Sequence, residues 1–236
     1  MENGIVYISF GKQYERLAAH TIAYSRQFTD VPITVITNVQ DLDPKWAQVK
    51  DINFITLPWW GRDRNREVKT SLPEFSPYEK TLYLDCDAII QKPGIERVFD
   101  LIQPDKLLLN IYGRWTTERQ IMGLYGRTMR LSGLTLPIDI YYGAINGFQK
   151  GEKVTEFFNT WQTLWRKSGS GREMPALACA VRKSGIQVVE IGNKDGIFTW
   201  LIRDNFIIQH EYGQHVRRLV GCPDFEAYKP FDRRKK

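Results

Sequence analysis

The chain reads as an α/β protein with a mostly parallel central sheet and helices on both faces. Two apolar, β-branched runs, residues 5–8 and 32–37, enclose a segment in which Leu17, Thr21, Tyr24 and Phe28 recur at about one helical turn. Strand, helix and strand in that order predict a parallel pair joined by a right-handed crossover. Farther along, short strands between turn signals and a clear amphipathic helix continue the alternation. There is no internal repeat, no G-x-G-x-x-G fingerprint and no Walker P-loop.

After the second strand, Asn38, Asp41, Asp43 and Pro44 mark a loop, and residues 52–57 read as a third strand. Trp59 and Trp60 then sit among Arg62, Arg64 and Arg66. This stretch leads into a short helix carrying Lys69 and Leu72, which Pro73, Ser76 and Pro77 interrupt. Residues 81–84 form an apolar strand that runs straight into Asp85-Cys86-Asp87. Ile89 and Ile90, a turn at Lys92-Pro93-Gly94, a short helix over 95–102 and a strand over 106–110 follow. Residues 113–135, rich in Gly, Arg and Thr, show no clear period and read as a variable or mobile segment. Residues 138–148 predict a turn and then a strand. Val154, Phe157, Phe158, Trp161, Leu164 and Trp165 mark one face of the amphipathic helix, which reads as core. Residues 168–171 break that pattern, and a second helix over 173–183 has Pro175 near its first turn. A strand over 187–191, a turn over 193–196, and Ile207-Ile208 leading into Gln209-His210-Glu211-Tyr212-Gly213 complete the pass.

A length of 236 residues suits one domain over 1–236, with a basic tail from about residue 226. Hydrophobic residues at 42% and charged residues at 25% are ordinary for a folded soluble protein. Most of the net charge of +6 lies in the terminal run Arg233, Arg234, Lys235 and Lys236. The basic residues show no aromatic-interleaved pattern, so no specific nucleic-acid partner is expected. Cys86, Cys179 and Cys222 are far apart and form no CxxC pair, which points to a reducing compartment. With no signal peptide and no apolar run of membrane length, the expected location is cytoplasmic and no transmembrane segment is expected.

Asp85 and Asp87 carry the strongest chemical signal. In an extended segment, residues at i and i+2 point to one side and Cys86 to the other. Two carboxylates converging at the end of a buried strand repel each other, and a hard divalent cation relieves that repulsion. The open end of a parallel sheet is also where α/β folds place ligands. Of the histidines His20, His210 and His215, His210 is the best third ligand, because it lies near a strand end beside Gly213; His215 is an alternative. A metal there would neutralise charge growing on a departing diphosphate.

These residues carry a resemblance. The chain resembles the nucleotide-diphospho-sugar transferases of the GT-A fold, in the style of glycosyltransferase family 8, the glycogenin and galactosyltransferase-like family, over residues 4–215. The strongest segment is 76–87, ending in the Asp-x-Asp pair. The resemblance implies a metal-dependent hexosyltransferase that takes a UDP-sugar donor and a hydroxyl-bearing acceptor and retains anomeric configuration. It implies Mn2+ or Mg2+ held by Asp85, Asp87 and His210. Base and ribose contacts are implied at Tyr7, Ser9 and Phe10, with Tyr14 following that first strand, and a cation reaching the donor at Arg66 or Lys69. Tyr142, Glu173 and Asp139 would line the side from which the acceptor attacks. Two departures stand out: Tyr142 occupies the place of a usual asparagine, and Glu173-Met174 that of Asp-Gln. They leave open an alternative, a non-catalytic sugar-nucleotide-binding protein of the same fold. An aspartate-nucleophile phosphatase fits less well, since its usual threonine is Ile89 here. Trp59, Trp60 and Trp115 could stack on sugars or simply be buried.

Overall fold

The protein is described by a computed structural model covering residues 2–58, 64–117, 124–169, 172–192, 194–199, 205–210 and 214–222. The elements, in chain order, are β1 (Asn3–Ser9), α1 (Lys12–Ser25), β2 (Ile33–Thr37), a 3-10 turn (Pro44–Gln48), β3 (Ile52–Thr56), α2 (Arg64–Lys69), α3 (Leu72–Phe75), β4 (Lys80–Asp85), β5 (Ala88–Ile90), α4 (Glu96–Asp100), β6 (Lys106–Trp115), α5 (Leu124–Ser132), β7 (Ile138–Gln149), α6 (Glu152–Ser168), α7 (Met174–Ser184), β8 (Gln187–Glu190), β9 (Phe198–Thr199), β10 (Ile208–His210) and α8 (Gln214–Leu219).

The central sheet has seven strands in the order β3-β2-β1-β4-β7-β6-β8. All neighbours are parallel except β7, which runs antiparallel to both β4 and β6. Burial on both faces explains why β1, β2 and β4 read as near-continuous apolar runs. Ile5 and Tyr7 pack with Leu17 and Ile22 of α1 and with Phe99 of α4 on one face. Val6, Ile8 and Tyr83 pack on the other with Val68 and Leu72, and with Phe157, Trp161 and Leu177 of α6 and α7. Helices therefore cover both faces.

Several expectations need correction. Residues 113–135 are not simply irregular: β6 continues to Trp115, and α5 occupies 124–132. Met129 buries against the face formed by α6 and α7, so tertiary packing stabilises a helix whose local period is too short to read. The first helix ends at Ser25, although Phe28 still packs on Tyr24 with ring centroids 5.6 Å apart. Residues 138–148 form one strand, starting directly at Ile138. A second sheet, β5-β10-β9, pairs the apolar stretches at Ile89-Ile90 and Ile207-Ile208, a pairing that strands of only two or three residues do not show in sequence. The segments 59–63, 170–171, 211–213 and 223–236, with Trp59, Trp60 and the basic tail, lie outside the described residues. Among the described residues, no helix is long and apolar enough to cross a membrane.

Candidate functional site

Strand β4 ends at Asp85, and Cys86 and Asp87 form a turn before β5 begins at Ala88. The carboxylates therefore converge across a turn, not along an extended strand. Cys86 turns into the core, and burial, reinforced by Asp87 and Asp85, pushes its thiol far above the usual value. The partner strand supplies the third group. Strand β10 pairs antiparallel with β5, and His210 stands opposite Ala88, immediately beside the turn. A hairpin-like neighbour relation thus joins residues more than a hundred positions apart.

His210 Nε2 lies 2.9 Å from Asp87 Oδ1 and 4.0 Å from Asp85 Oδ2. One ligand atom from each of the three residues falls within 4.8 Å of the others. The histidine is fully buried, while both carboxylates remain about a quarter exposed. Burial favours the neutral imidazole, yet the Asp87 and Asp85 carboxylates together raise His210 above its ordinary pKa. Burial likewise opposes ionisation of Asp87, and His210 outweighs it, holding that carboxyl below the usual range. The other ring nitrogen, Nδ1, is 2.8 Å from the Tyr142 hydroxyl. Two carboxylate oxygens and one imidazole nitrogen, this close together, are a donor set that fits a divalent metal ion. The alternative ligand, His215, has its side chain outside the described part of the structure.

A second cluster adjoins the first. Lys69, at the end of α2, donates to Asp85 Oδ1 at 3.0 Å and to Glu173 Oε1 at 2.9 Å. Its ammonium sits 4.9 Å from the Tyr83 ring centre, and the Tyr83 hydroxyl also donates to Asp85 Oδ1. Burial works against the charge on Lys69, but Asp85 and Glu173 together raise its pKa well above the ordinary value. Arg66 Nε approaches Glu173 Oε2 at 3.3 Å. Burial disfavours an ionised Glu173, but Lys69 overcomes this and keeps the carboxyl below its usual pKa. Gly143 makes room for the pair: a Cβ there would lie 3.2 Å from Glu173 Oε1 and 3.5 Å from Lys69 Nζ.

The structure thus brings Arg66, Lys69, Asp85 and Glu173 into one ion-pair network, and Asp87, His210 and Tyr142 into another that shares Asp85. Asp139 stands apart, on the β6–β7 ribbon, paired with Arg114 at 3.7 Å. Tyr7 and Ser9 are wholly buried and Phe10 nearly so, whereas Tyr14 is 43% exposed. Trp115 is partly buried against the core. Arg217 on α8 was missed in the sequence; burial holds its guanidinium below the ordinary value, against the opposing pull of the Asp87 carboxylate. Its signal, a basic residue shortly after His210, is common in any helix.

Comparison with known proteins gives no matching family model and no curated sequence relative. Solved structures do match. A galactosyltransferase, LgtC, in complex with donor and acceptor sugar analogs superposes with a TM-score of 0.55 at 12% identity, over 92% of this chain and 95% of that one. An LgtC active-site mutant gives 0.54 at 12% identity over 89% and 88%. The fold is that of the GT-A glycosyltransferases. A bifunctional glycosyltransferase, WbbM, shares the GT-A fold with a TM-score of 0.59 at 9% identity, over 90% of this chain but 46% of that one. In this GT-A framework the Asp85–Asp87–His210 cluster sits at the C-terminal end of β4, in the parallel part of the sheet.

Proposed function

We propose that this protein is a metal-dependent hexosyltransferase, moving a sugar from a UDP-sugar donor to a hydroxyl-bearing acceptor with retention of anomeric configuration. The observation that carries the proposal is the convergence of Asp85, Asp87 and His210 at the sheet end of a GT-A fold. These residues would hold Mn2+ or Mg2+, and the bound ion supplies positive charge to the diphosphate leaving group. The neighbouring structures lend support, since LgtC is described with donor and acceptor sugar analogs.

In this reading Lys69 and Arg66 offset charge near the donor, and Arg provides the flatter, bidentate contact. A charge-assisted contact of this kind contributes roughly 1.5–3 kcal/mol. Glu173, fixed by Lys69 and Arg66, accepts from donor-sugar hydroxyls and borders the acceptor side with Asp139 farther out. The nucleotide would lie at the C-terminal end of β1, beside Tyr14 and the Ser9–Phe10 backbone; Tyr7, wholly buried, would support the strand from the core. Three free cysteines support a cytoplasmic setting.

The test is thermal shift with a panel of nucleotide-sugars, with and without Mn2+. A UDP-sugar should stabilise the protein only when metal is present. A flat response across the panel removes the central claim. Asp87→Asn should abolish the metal-dependent shift, and survival of that shift would place the site elsewhere. Transfer to an acceptor separates the enzyme from a mere binder, and the anomeric proton signal of the product checks retention.

A further inference from the structure

We infer that Tyr142 is a positioning residue for the metal centre: its hydroxyl holds His210 with Nδ1 turned inward and Nε2 turned toward Asp85 and Asp87. The inference rests on the metal-centre reading above and names a support that this chain builds for itself.

The strand geometry places the ring. On β6, the consecutive residues Leu109 and Asn110 pair with Asn146 and Tyr142 of β7, so residues 143–145 form an enlarged bulge. Bulges re-aim side chains and are common next to functional sites. Past this one, Tyr141 packs on the α6–α7 face while Tyr142 packs on the opposite face with Phe198 and Ile208. Tyr142 is only 4% exposed. A phenol buried to that extent needs a partner for its hydroxyl, and the partner is His210 Nδ1 at 2.8 Å.

The ring is clamped on several sides. Phe198 lies 5.8 Å away, Tyr112 stacks at 6.0 Å with planes 14° apart, and the His210 imidazole meets it edge-on at 5.2 Å. A tyrosine held this firmly has one direction in which to offer its oxygen. An imidazole free to flip would present either nitrogen to the carboxylates; the hydrogen bond removes that choice. Histidine ligands generally have their second nitrogen held in this way, and loss of such a support costs about 10–100-fold in metal affinity. Asparagine, the residue the family resemblance leads one to expect at this position, has no aromatic ring to stack and a shorter reach.

The experiment compares Mn2+ binding to the full chain by titration calorimetry and pulsed electron paramagnetic resonance. Tyr142→Phe keeps the ring packing and removes only the hydroxyl. It should bind Mn2+ about 10-fold or more weakly, with a weakened 14N modulation from the histidine, while circular dichroism shows the fold retained. Phe198→Leu loosens the packing around the ring but keeps the hydroxyl, and should cost clearly less Mn2+ affinity than Tyr142→Phe. Equal affinity in Tyr142→Phe and the unsubstituted protein overturns the inference. So does an equal loss in both variants, which would assign the effect to packing. No Mn2+ binding by the unsubstituted protein would instead sink the metal reading itself, and this inference with it.

Discussion

Lys69 is the residue on which the two halves of the site depend. It is nearly buried, and its ammonium separates Asp85 from Glu173 at 3.0 and 2.9 Å. Removing one member of a buried charge group leaves the others uncompensated, typically at a cost of about 3–5 kcal/mol. Lys69→Met should therefore lower the melting temperature clearly, and Lys69→Met with Glu173→Met should recover part of the loss. No recovery in the double variant would show that the network is not the cause. Glu67 offers a pH-dependent counterpart. It accepts from Arg64 at 3.0 Å and Arg166 at 2.5 Å, linking α2 to α6. Burial opposes its charge, but Arg166 and Arg64 prevail and lower its pKa below the ordinary 4.5. A depressed carboxyl stabilises the fold above the unfolded-state pKa, and that stability is lost as pH falls through the folded-state value. Denaturant melts should thus show Glu67→Gln destabilised at pH 7, with the difference shrinking below about pH 4.5. A constant difference down to pH 3 would count against the linkage.

At the scale of elements, close approaches matter most. Gly4 in β1 lies against the Tyr78 ring, so an added Cβ would overlap that ring. Tyr78 in turn has its hydroxyl 2.8 Å from Thr34 Oγ1 of β2, which leaves it little room to retreat. Gly4→Ala should destabilise the protein by about 1–3 kcal/mol, as overpacking usually does; an unchanged unfolding midpoint would show that Tyr78 can move. The helix pair α6–α7 has its own link to the site. Trp161 of α6 donates to the Glu173 carbonyl at 3.1 Å, at the start of α7. The aromatic stripe of α6 was legible from its period, and so was its burial. That one of its rings also anchors the backbone of a site residue was not, since an indole N–H leaves no mark on hydrophobic periodicity. Likewise the short strands β5, β9 and β10 carry too few residues to alternate visibly. They form because neighbouring strands satisfy their backbone groups.

For the whole molecule, the prediction concerns ligand linkage. A ligand that binds only the folded state at a hundred times its Kd adds about 2.7 kcal/mol. Stabilisation by a UDP-sugar with Mn2+ should therefore raise the unfolding midpoint and vanish when a chelator is added. Stabilisation that persists in chelator would argue for a metal-independent site. The sequence by itself determined the α/β class, the parallel opening strands, the long α6 and the Asp85–Asp87 pair, because periodicity, β-branching and a charge pair after an apolar run are local signals. Only the tertiary structure decided that the pair spans a turn, that β10 carries His210 to it, and that Lys69 and Glu173 meet across more than a hundred residues. It also decided that Tyr7 faces the core and that Tyr142 faces His210. Those outcomes depend on strand order, register and a bulge, which are settled by long-range pairing and packing between segments that say nothing about each other in the linear chain.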